Sequence, residues 1–198
     1  MIFRSFSQAL TQVSEVSLGL SQFSQTKNKK RYGYKSEKEV LSIIEYAIRK
    51  KINFFDTSDG YGNTEKILGN LKKRNKDNII ISTKAGRKPD GVRCFDQRYL
   101  ERQLDKSLKN LKTDRVNIFM LNKPTYFEIE KEDLIFFLEK LKKKGKIQYS
   151  GIVIGDKKKF NQIINKKVID CYSVLFNLIN VEDLNLIKII KKEKKVLI

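Results

Sequence analysis

The chain has 198 residues, 40% of them hydrophobic, which suffices for one domain with a sizeable core and excludes an intrinsically disordered composition. It contains no histidine, which excludes His-based catalysis and His metal ligands, and no metal site is expected. Its apolar runs are shorter than the roughly 18 residues of a membrane span, its first residues do not predict a secretory signal, and its two cysteines lie far apart. We therefore expect a reduced, cytoplasmic protein that has no membrane partner.

The positive charge of the chain is large enough to suggest a nucleic-acid partner. Lysine and arginine number 42 against 23 acidic residues, a net charge of +19. The basic residues are nevertheless spread along the chain in short runs such as Lys27–Arg31 and Lys142–Lys144, and most fall on the polar faces of predicted helices. No aromatic residues interleave these runs, as a stacking platform for bases requires. We therefore favour solvated helix faces and expect no nucleic-acid partner.

Predicted strands and helices alternate along the chain. The predicted strands are Val13–Leu20, Asn53–Asp56, Asn78–Lys84, Val116–Leu121, Ile147–Ile154, Val168–Leu175 and Val196–Ile198. The predicted helices are one opened by the capping box Ser36–Glu39, one entered through Asn63 or Thr64, one carrying Leu100, Leu104, Leu108 and Leu111, one that ends at Gly145, and two further helices over Lys157–Asn165 and Val181–Lys192.

Strict alternation of strands and helices predicts a parallel sheet with helical crossovers. Six βα units and the start of a seventh strand favour a (β/α)8 TIM barrel over a doubly wound sheet, because no Gly-x-Gly-x-x-Gly follows the first strand. A complete barrel typically needs about 250 residues. We therefore expect residues 1–198 to form a single barrel domain that lacks its C-terminal part.

Polar side chains end three successive predicted strands: Asp56, Lys84 and Asn122, with Tyr61 in the loop after Asp56. In a barrel, the C-terminal ends of the strands converge on one face. A lysine beside a tyrosine lowers the pKa of the phenol by favouring the phenolate, and a carboxylate fixes that lysine. Such a tyrosine can give a proton to a carbonyl oxygen. The alternative is a surface tyrosine next to a structural Lys–Asp pair.

The most specific motifs in the chain are Asp56-x-x-x-x-Tyr61-Gly62 with Glu65 downstream, and Ser82-Thr83-Lys84. With supporting matches from about Val13 to the last residue, the sequence resembles the aldo-keto reductases. The resemblance implies a (β/α)8 barrel that reduces an aldehyde or ketone, a small-molecule carbonyl substrate, with NADP(H). It further implies that Tyr61 is the acid, that Lys84 and Asp56 tune it, and that the residue at position 122 orients the carbonyl.

The chain also departs from the family pattern at its site. Asn122 stands where a histidine is usual, and its amide can donate a hydrogen bond but cannot titrate. The usual Ser-Asn pair that holds the nicotinamide carboxamide is replaced by Val153-Ile154. By resemblance, the positions expected at the cofactor are Leu20, Ser21, Asp56, Asn122 and Ser173. These departures favour, as the alternative, a catalytically impaired aldo-keto reductase-like binding or regulatory module.

Overall fold

A computed structural model describes residues 1–7, 12–23, 36–74, 79–155, 160, 164, 167–179, 184–193 and 196–197. The chain forms two compact units, Met1–Thr83 with Gln103–Asn117 and Lys84–Arg102 with Ile118–Ile198. Each unit alternates strands with helices. None of the helices in the described part of the chain is long and apolar enough to cross a membrane.

The first unit begins with a two-stranded antiparallel ribbon and continues with parallel strands. Its strands and helices are β1 (Phe3–Arg4), β2 (Val13–Ser14), β3 (Ser17–Gly19), α1 (Glu37–Arg49), β4 (Phe54–Asp56), α2 (Thr64–Arg74), β5 (Ile80–Ala85), α3 (Gln97–Leu111) and β6 (Val116–Asn122). The residues of β5, α3 and β6 are divided between the two units. Strand β4 pairs in parallel with β3 and with β5, and the register places Gly19, Asp56 and Ser82 side by side.

The second unit repeats the strand and helix alternation. Its further strands and helices are α4 (Tyr126–Glu130), α5 (Glu132–Lys143), β7 (Ile147–Val153), β8 (Cys171–Ser173), α6 (Leu184–Lys192) and β9 (Val196–Leu197). Strand β8 pairs in parallel with β7 and with β9. In each unit the paired parallel strands follow chain order, β3, β4 and β5 in the first and β7, β8 and β9 in the second, as the predicted alternation requires.

Local signals in the sequence account for several of these boundaries. Ser36 Oγ accepts a hydrogen bond from the Glu39 N–H, and the Glu39 carboxylate accepts one from the Ser36 N–H, so the predicted capping box opens α1. The four leucines predicted to line one face of α3 are all buried. Every residue of β5 is buried, as expected for a parallel strand that is covered on both faces.

The structure differs from the prediction at three places. The strand predicted over Val13–Leu20 splits in two, because β2 pairs antiparallel with β1 and only β3 joins the parallel sheet. The short helix α4 was not expected, although Thr125 and Glu128 form a capping box at its start. The strand predicted over Val168–Leu175 is shorter, since β8 contains only Cys171–Ser173, and ahead of it Lys142 Nζ donates to the carbonyl oxygen of Val168 and the carboxylate of Asp170.

Parts of four predictions lie outside the described residues. The helix expected over Lys157–Asn165 falls almost entirely there, with only Phe160 and Ile164 described, both buried. The same holds for the expected start of the last helix, Val181 to Asp183, and for the ends of two predicted strands at Asn78 and Ile198.

Candidate active site

Asp56 is the last residue of β4, and the main chain around it is held by both neighbouring strands. The Leu20 N–H donates to the carbonyl oxygen of Asp56 over 2.8 Å, and the Thr57 N–H donates to the carbonyl oxygen of Ser82 over 2.8 Å. The Asp56 side chain itself is half-buried. The predicted carboxylate therefore lies at a strand end whose main chain is fixed within the first unit.

Tyr61 lies in the loop between β4 and α2, and its main chain is bound on both sides. Its N–H donates to the carbonyl oxygen of Ser58 over 3.1 Å, and its carbonyl oxygen accepts from Thr64 Oγ1 over 3.0 Å. Thr64 Oγ1 lies 2.8 Å from Thr57 Oγ1, and both threonines are buried. Tyr61 is half-buried, so a residue with a fixed main chain is still partly open to solvent.

A buried carboxylate follows this loop, at the start of α2. Glu65 is 1% exposed; its Oε1 accepts from Thr83 Oγ1 over 2.7 Å and its Oε2 from Asn110 Nδ2 over 3.1 Å. These bonds satisfy a group that would otherwise be costly to bury. They also tie α2 to β5 and α3 within the first unit. The sequence motif contained Glu65, but only the structure reveals this role for it.

A second carboxylate, Asp59, lies in the Tyr61 loop itself. Burial raises the pKa of Asp59 to about 6, against the opposing effect of a hydrogen bond from the Ser58 hydroxyl. The negative charge of Glu65 raises this pKa further, and the positive charge of Lys106 lowers it. The loop that carries Tyr61 thus contains a carboxyl group whose charge changes near pH 6.

In the second unit, Asn122 ends β6 and its main chain is anchored by an arginine. Arg93 Nη1 donates to the carbonyl oxygens of Asn122 and Lys123, each over 2.8 Å. Lys123 has a φ of +60°, in the left-handed region that few residues with side chains adopt. Gly155 packs closely here, since a Cβ at that position would lie 2.8 Å from Lys123 Cβ. The end of β6 is therefore fixed by the two arginine hydrogen bonds and by the close approach of Gly155.

Arg93 belongs to a segment that we call the arginine hairpin, residues 86–95, which follows β5. Arg87 and Arg93 lie opposite each other in an antiparallel bridge, and the Lys88 N–H donates to the carbonyl oxygen of Val92 over 2.8 Å. At the base of the hairpin, Gly86 has a φ of +115°, and a Cβ there would come within 2.5 Å of the Phe95 ring. Glycine is therefore required at position 86 for the hairpin to close.

The remaining predicted site residues occupy fixed positions in their own units. Lys84 on β5 is only 6% exposed. Ser173 ends β8 in register with Val153, and its carbonyl oxygen accepts from the Ile154 N–H over 2.9 Å. Leu20 is fully buried, whereas Ser21 is exposed and starts a short 3-10 turn. The first unit thus brings together Leu20 and Asp56, and the second brings together Val153, Ile154 and Ser173.

Comparison with known proteins identifies the family. The sequence profile described as "Aldo/keto reductase family" matches residues 15–198. The chain belongs to the aldo/keto reductase family. Over 147 residues it is 35% identical to the uncharacterized oxidoreductase YqkF of Bacillus subtilis, an alignment that covers 71% of this chain and 44% of YqkF. Over 128 residues it is 33% identical to L-galactose dehydrogenase of Arabidopsis thaliana, covering 61% and 40% of the two chains. The chain therefore spans less than half the length of these curated relatives.

Solved structures of other aldo-keto reductases share the fold. One is a putative aldo-keto reductase from Pseudomonas aeruginosa, at a TM-score of 0.86 and 24% identity, which covers 99% of this chain and 76% of that one. Another is the holo form of an aldo-keto reductase from Bacillus halodurans, at a TM-score of 0.84 and 22% identity, which covers all of this chain and 65% of that one. These likenesses and the parallel sheet confirm the predicted fold class, an incomplete (β/α)8 barrel.

The described residues contain no group of three or more acidic or cysteine side chains that could hold a metal ion. The structure also adds residues that the sequence analysis did not select. Arg93 binds the main chain of Asn122 from 29 residues away, and Thr57 and Thr64 bind the Tyr61 loop. The periodicity of the sequence carries no signal for the arginine contact, because it depends on how two loops pack.

Proposed function

We propose that the chain is an NADPH-dependent carbonyl reductase that reduces an aldehyde or ketone to the alcohol, with Tyr61 as the proton donor. One observation carries the proposal. In a chain of the aldo/keto reductase family, the loop directly after Asp56 presents a half-exposed tyrosine whose main-chain N–H and carbonyl oxygen are both bound. A general acid is effective when its position is fixed relative to the group that receives the proton.

Each of the four proposed catalytic residues has a distinct task. The Tyr61 hydroxyl gives its proton to the carbonyl oxygen of the substrate, which becomes the alcohol oxygen. The ammonium of Lys84 favours the phenolate that is left behind, and Asp56 holds that ammonium in place. The side-chain amide of Asn122 donates a hydrogen bond that orients the carbonyl. The burial of Lys84 supports a positioned ammonium over a solvated surface lysine, because an ammonium is costly to bury without partners.

We propose that the side chains at the ends of β6, β7 and β8 contact the nicotinamide of the cofactor. The amide of Asn122 and the hydroxyl of Ser173 can hydrogen-bond a carboxamide, and Val153, in register with Ser173, offers an apolar contact for a ring. We propose that Leu20, Ser21 and Asp56 contribute the corresponding contacts from the first unit. When bound, the cofactor supplies hydride to the carbonyl carbon. Cys94 and Cys171 are both free thiols, which supports the reducing cytoplasm as the compartment.

A second candidate function is a binding or regulatory module that has lost turnover. It is favoured by Asn122, which cannot titrate, and by the apolar pair Val153 and Ile154 at positions where the family resemblance implies hydrogen-bonding side chains. Ile154 is buried, so its side chain adds no polar group to the site.

A titration separates the two candidates. The 198-residue chain is titrated with NADPH and, separately, with NADH while nucleotide fluorescence is recorded, and turnover of a generic aldehyde is then measured at saturating cofactor. The reductase proposal predicts saturable binding that is tighter for NADPH. It also predicts turnover that falls by several orders of magnitude in Tyr61→Phe, whereas cofactor binding by that variant is retained.

Tyr46→Phe is the matched control, because Tyr46 is an exposed tyrosine on α1. It should leave both binding and turnover unchanged. Saturable binding without turnover would replace the reductase proposal with the binding module. A chain that is folded by circular dichroism and binds neither nucleotide would overturn both candidates.

A further inference from the structure

The arginine hairpin pairs two residues of like charge. Arg87 and Arg93 are directly opposite in an antiparallel bridge, an arrangement in which equal charges destabilise the pairing. The hairpin nevertheless closes, because the Gly91 N–H donates to the carbonyl oxygen of Lys88 over 2.9 Å and the Cys94 N–H donates to that of Gly86 over 3.0 Å. The fold therefore holds two exposed arginines opposite each other in the hairpin.

The charges of these arginines are not neutralised by carboxylates within the described part of the chain. Arg93 uses Nη1 on two main-chain carbonyl oxygens, and Arg87 makes no hydrogen bond or ion pair with any described residue. The single carboxylate of the hairpin, Asp90, accepts the Val92 N–H over 2.8 Å. Lys88 follows Arg87 in the chain, and the main-chain oxygen of Lys123 is bound by Arg93. An anion would balance the charges of the two arginines.

Arg93 also ties the hairpin to the proposed carbonyl-orienting residue. Its Nη1 lies 2.8 Å from the carbonyl oxygen of Asn122, within the same unit. The Arg87 guanidinium lies over Gly91, where a Cβ would come within 3.5 Å of Nη2, so the turn leaves room for it. A guanidinium presents planar N–H donors that match the two oxygens of a carboxylate or of a phosphate.

We propose that Arg87 and Arg93 bind an anionic oxygen group of the carbonyl substrate, a carboxylate or a phosphate, next to Asn122. The inference rests on the proposed reductase function and adds the class of substrate: aldehydes or ketones that carry an acidic group. Arg93 has a second task as the anchor of the Asn122 main chain, so Arg87 is the residue whose removal tests anion binding alone.

The kinetic test compares three aldehydes: butanal, succinic semialdehyde and glyceraldehyde 3-phosphate. Succinic semialdehyde has as many carbons as butanal, with a carboxylate in place of the terminal methyl group. For the wild-type chain we expect kcat/KM for at least one anionic aldehyde to exceed that for butanal by about tenfold or more, since a hydrogen bond to a charged group is worth this much. Arg87→Gln should remove this preference by raising KM for the anionic aldehyde. Arg87→Lys should restore part of it.

Arg98→Gln is the matched control, because it removes one exposed arginine from the same unit outside the hairpin. It should keep the preference for the anionic aldehydes. Equal kcat/KM for all three aldehydes in the wild-type chain would overturn the inference. A loss of NADPH affinity in Arg87→Gln with no change in substrate KM would also overturn it, because the anion would then be a phosphate of the cofactor.

A binding measurement keeps the inference testable apart from turnover. Titration of the 15N-labelled chain with succinate, with butyramide as the neutral control, should shift the side-chain Nε–Hε resonances of Arg87 and Arg93 in NMR spectra. Absence of these shifts would overturn the anion site. Shifts in a chain that binds no nucleotide would retain the anion site and overturn the reductase function, so the two failures are distinguishable.

Discussion

The hydroxyl oxygens of Thr57 and Thr64 lie 2.8 Å apart at the base of the Tyr61 loop. Thr64 Oγ1 also donates to the carbonyl oxygen of Tyr61 over 3.0 Å. Because a hydroxyl has one hydrogen to donate, the hydrogen between the two threonines comes from Thr57. Two buried side chains thus determine where the main chain of Tyr61 lies.

Replacement of Thr64 by valine should destabilise the fold by about 1–3 kcal/mol, because the buried Thr57 hydroxyl loses its acceptor. The Tyr61 carbonyl oxygen keeps only the longer bond from the Thr64 N–H, at 3.3 Å. Urea unfolding measures the loss. Thr64→Ser retains the hydroxyl and should cost less than Thr64→Val.

The double variant Thr57→Val/Thr64→Val tests whether the two hydroxyls act as a pair. It removes donor and acceptor together, so its cost should be smaller than the sum of the two single costs. Strictly additive costs would show that the hydroxyl contact contributes no coupling energy.

Gly69 on α2 should not tolerate alanine. A Cβ at this position would lie 2.3 Å from the carbonyl oxygen of Asn110 on α3, which is main chain and cannot turn aside. Alanine gains about 1 kcal/mol in helix propensity, but overpacking costs about 1–3 kcal/mol and a contact this short belongs at the upper end. We expect a net loss of stability in thermal or urea unfolding.

Gly19→Ala is the control for this clash, because no atom lies within 4 Å of a Cβ built there. Its effect on the free energy of unfolding should stay within about 0.5 kcal/mol. An equal loss for the two variants would show that close packing of α2 on α3 is not the cause.

Asp59 should make the fold less stable as pH rises through its titration. Its pKa is raised from 3.8 to about 6, chiefly by burial, so between these values the folded state binds more protons than the unfolded state. The free energy of unfolding therefore falls from about pH 4 to pH 6, by at most about 3 kcal/mol for this group. Urea unfolding of Asp59→Asn should show a weaker fall over the same range. Parallel curves for the two proteins would contradict this.

Glu101 on α3 should change the free energy of unfolding with pH in the opposite direction. Hydrogen bonds from Lys144, at 2.8 Å, and Lys146, at 3.1 Å, lower its pKa from 4.5 to about 2. Its stabilising contribution is therefore complete above about pH 4.5 and is lost as pH falls towards 2. The difference in unfolding free energy between the wild-type chain and Glu101→Gln should shrink over that interval. A constant difference would mean that the lysines do not hold the carboxylate in solution.

Asn122→His should change the pH dependence of turnover if the proposed reductase function is correct. The wild-type chain contains no histidine, whereas an imidazole at this position titrates near pH 6.5. The variant's kcat/KM for a neutral aldehyde should acquire an inflection there that the wild-type profile lacks. Identical profiles would place residue 122 outside the reaction.

Local patterns in the sequence predicted what local physics determines. The Ser36–Glu39 capping box and the apolar spacing of α3 needed only neighbouring residues, and both predictions are confirmed. The short helix α4 begins with the same kind of capping box, at Thr125 and Glu128, so its start is predictable from the sequence. The split of the first predicted strand could not be predicted in this way, because it depends on pairing with Phe3–Arg4, about ten residues away.

The candidate site follows the same division. The strand-end positions of Asp56 and Asn122 follow from the alternation of strands and helices, and the structure has both at the ends of their strands. The contacts that hold the Asn122 end and the helix after the Tyr61 loop join residues far apart in the chain: Arg93 and Asn122 are 29 positions apart, and Glu65 and Asn110 are 45 positions apart. Periodicity carries no information on such pairs, which arise only when the chain packs.

Arg93 binds the end of β6 entirely through main-chain oxygens, which every amino acid carries. The identity of residue 122 can therefore change without loss of the anchor, and a mutation there alters the chemistry of the site while the backbone keeps its place. This separation gives evolution, or an engineer, a position at which new side chains can be tried at little structural risk. It also offers a physical reason why an asparagine could replace a histidine at this strand end while the surrounding fold persisted.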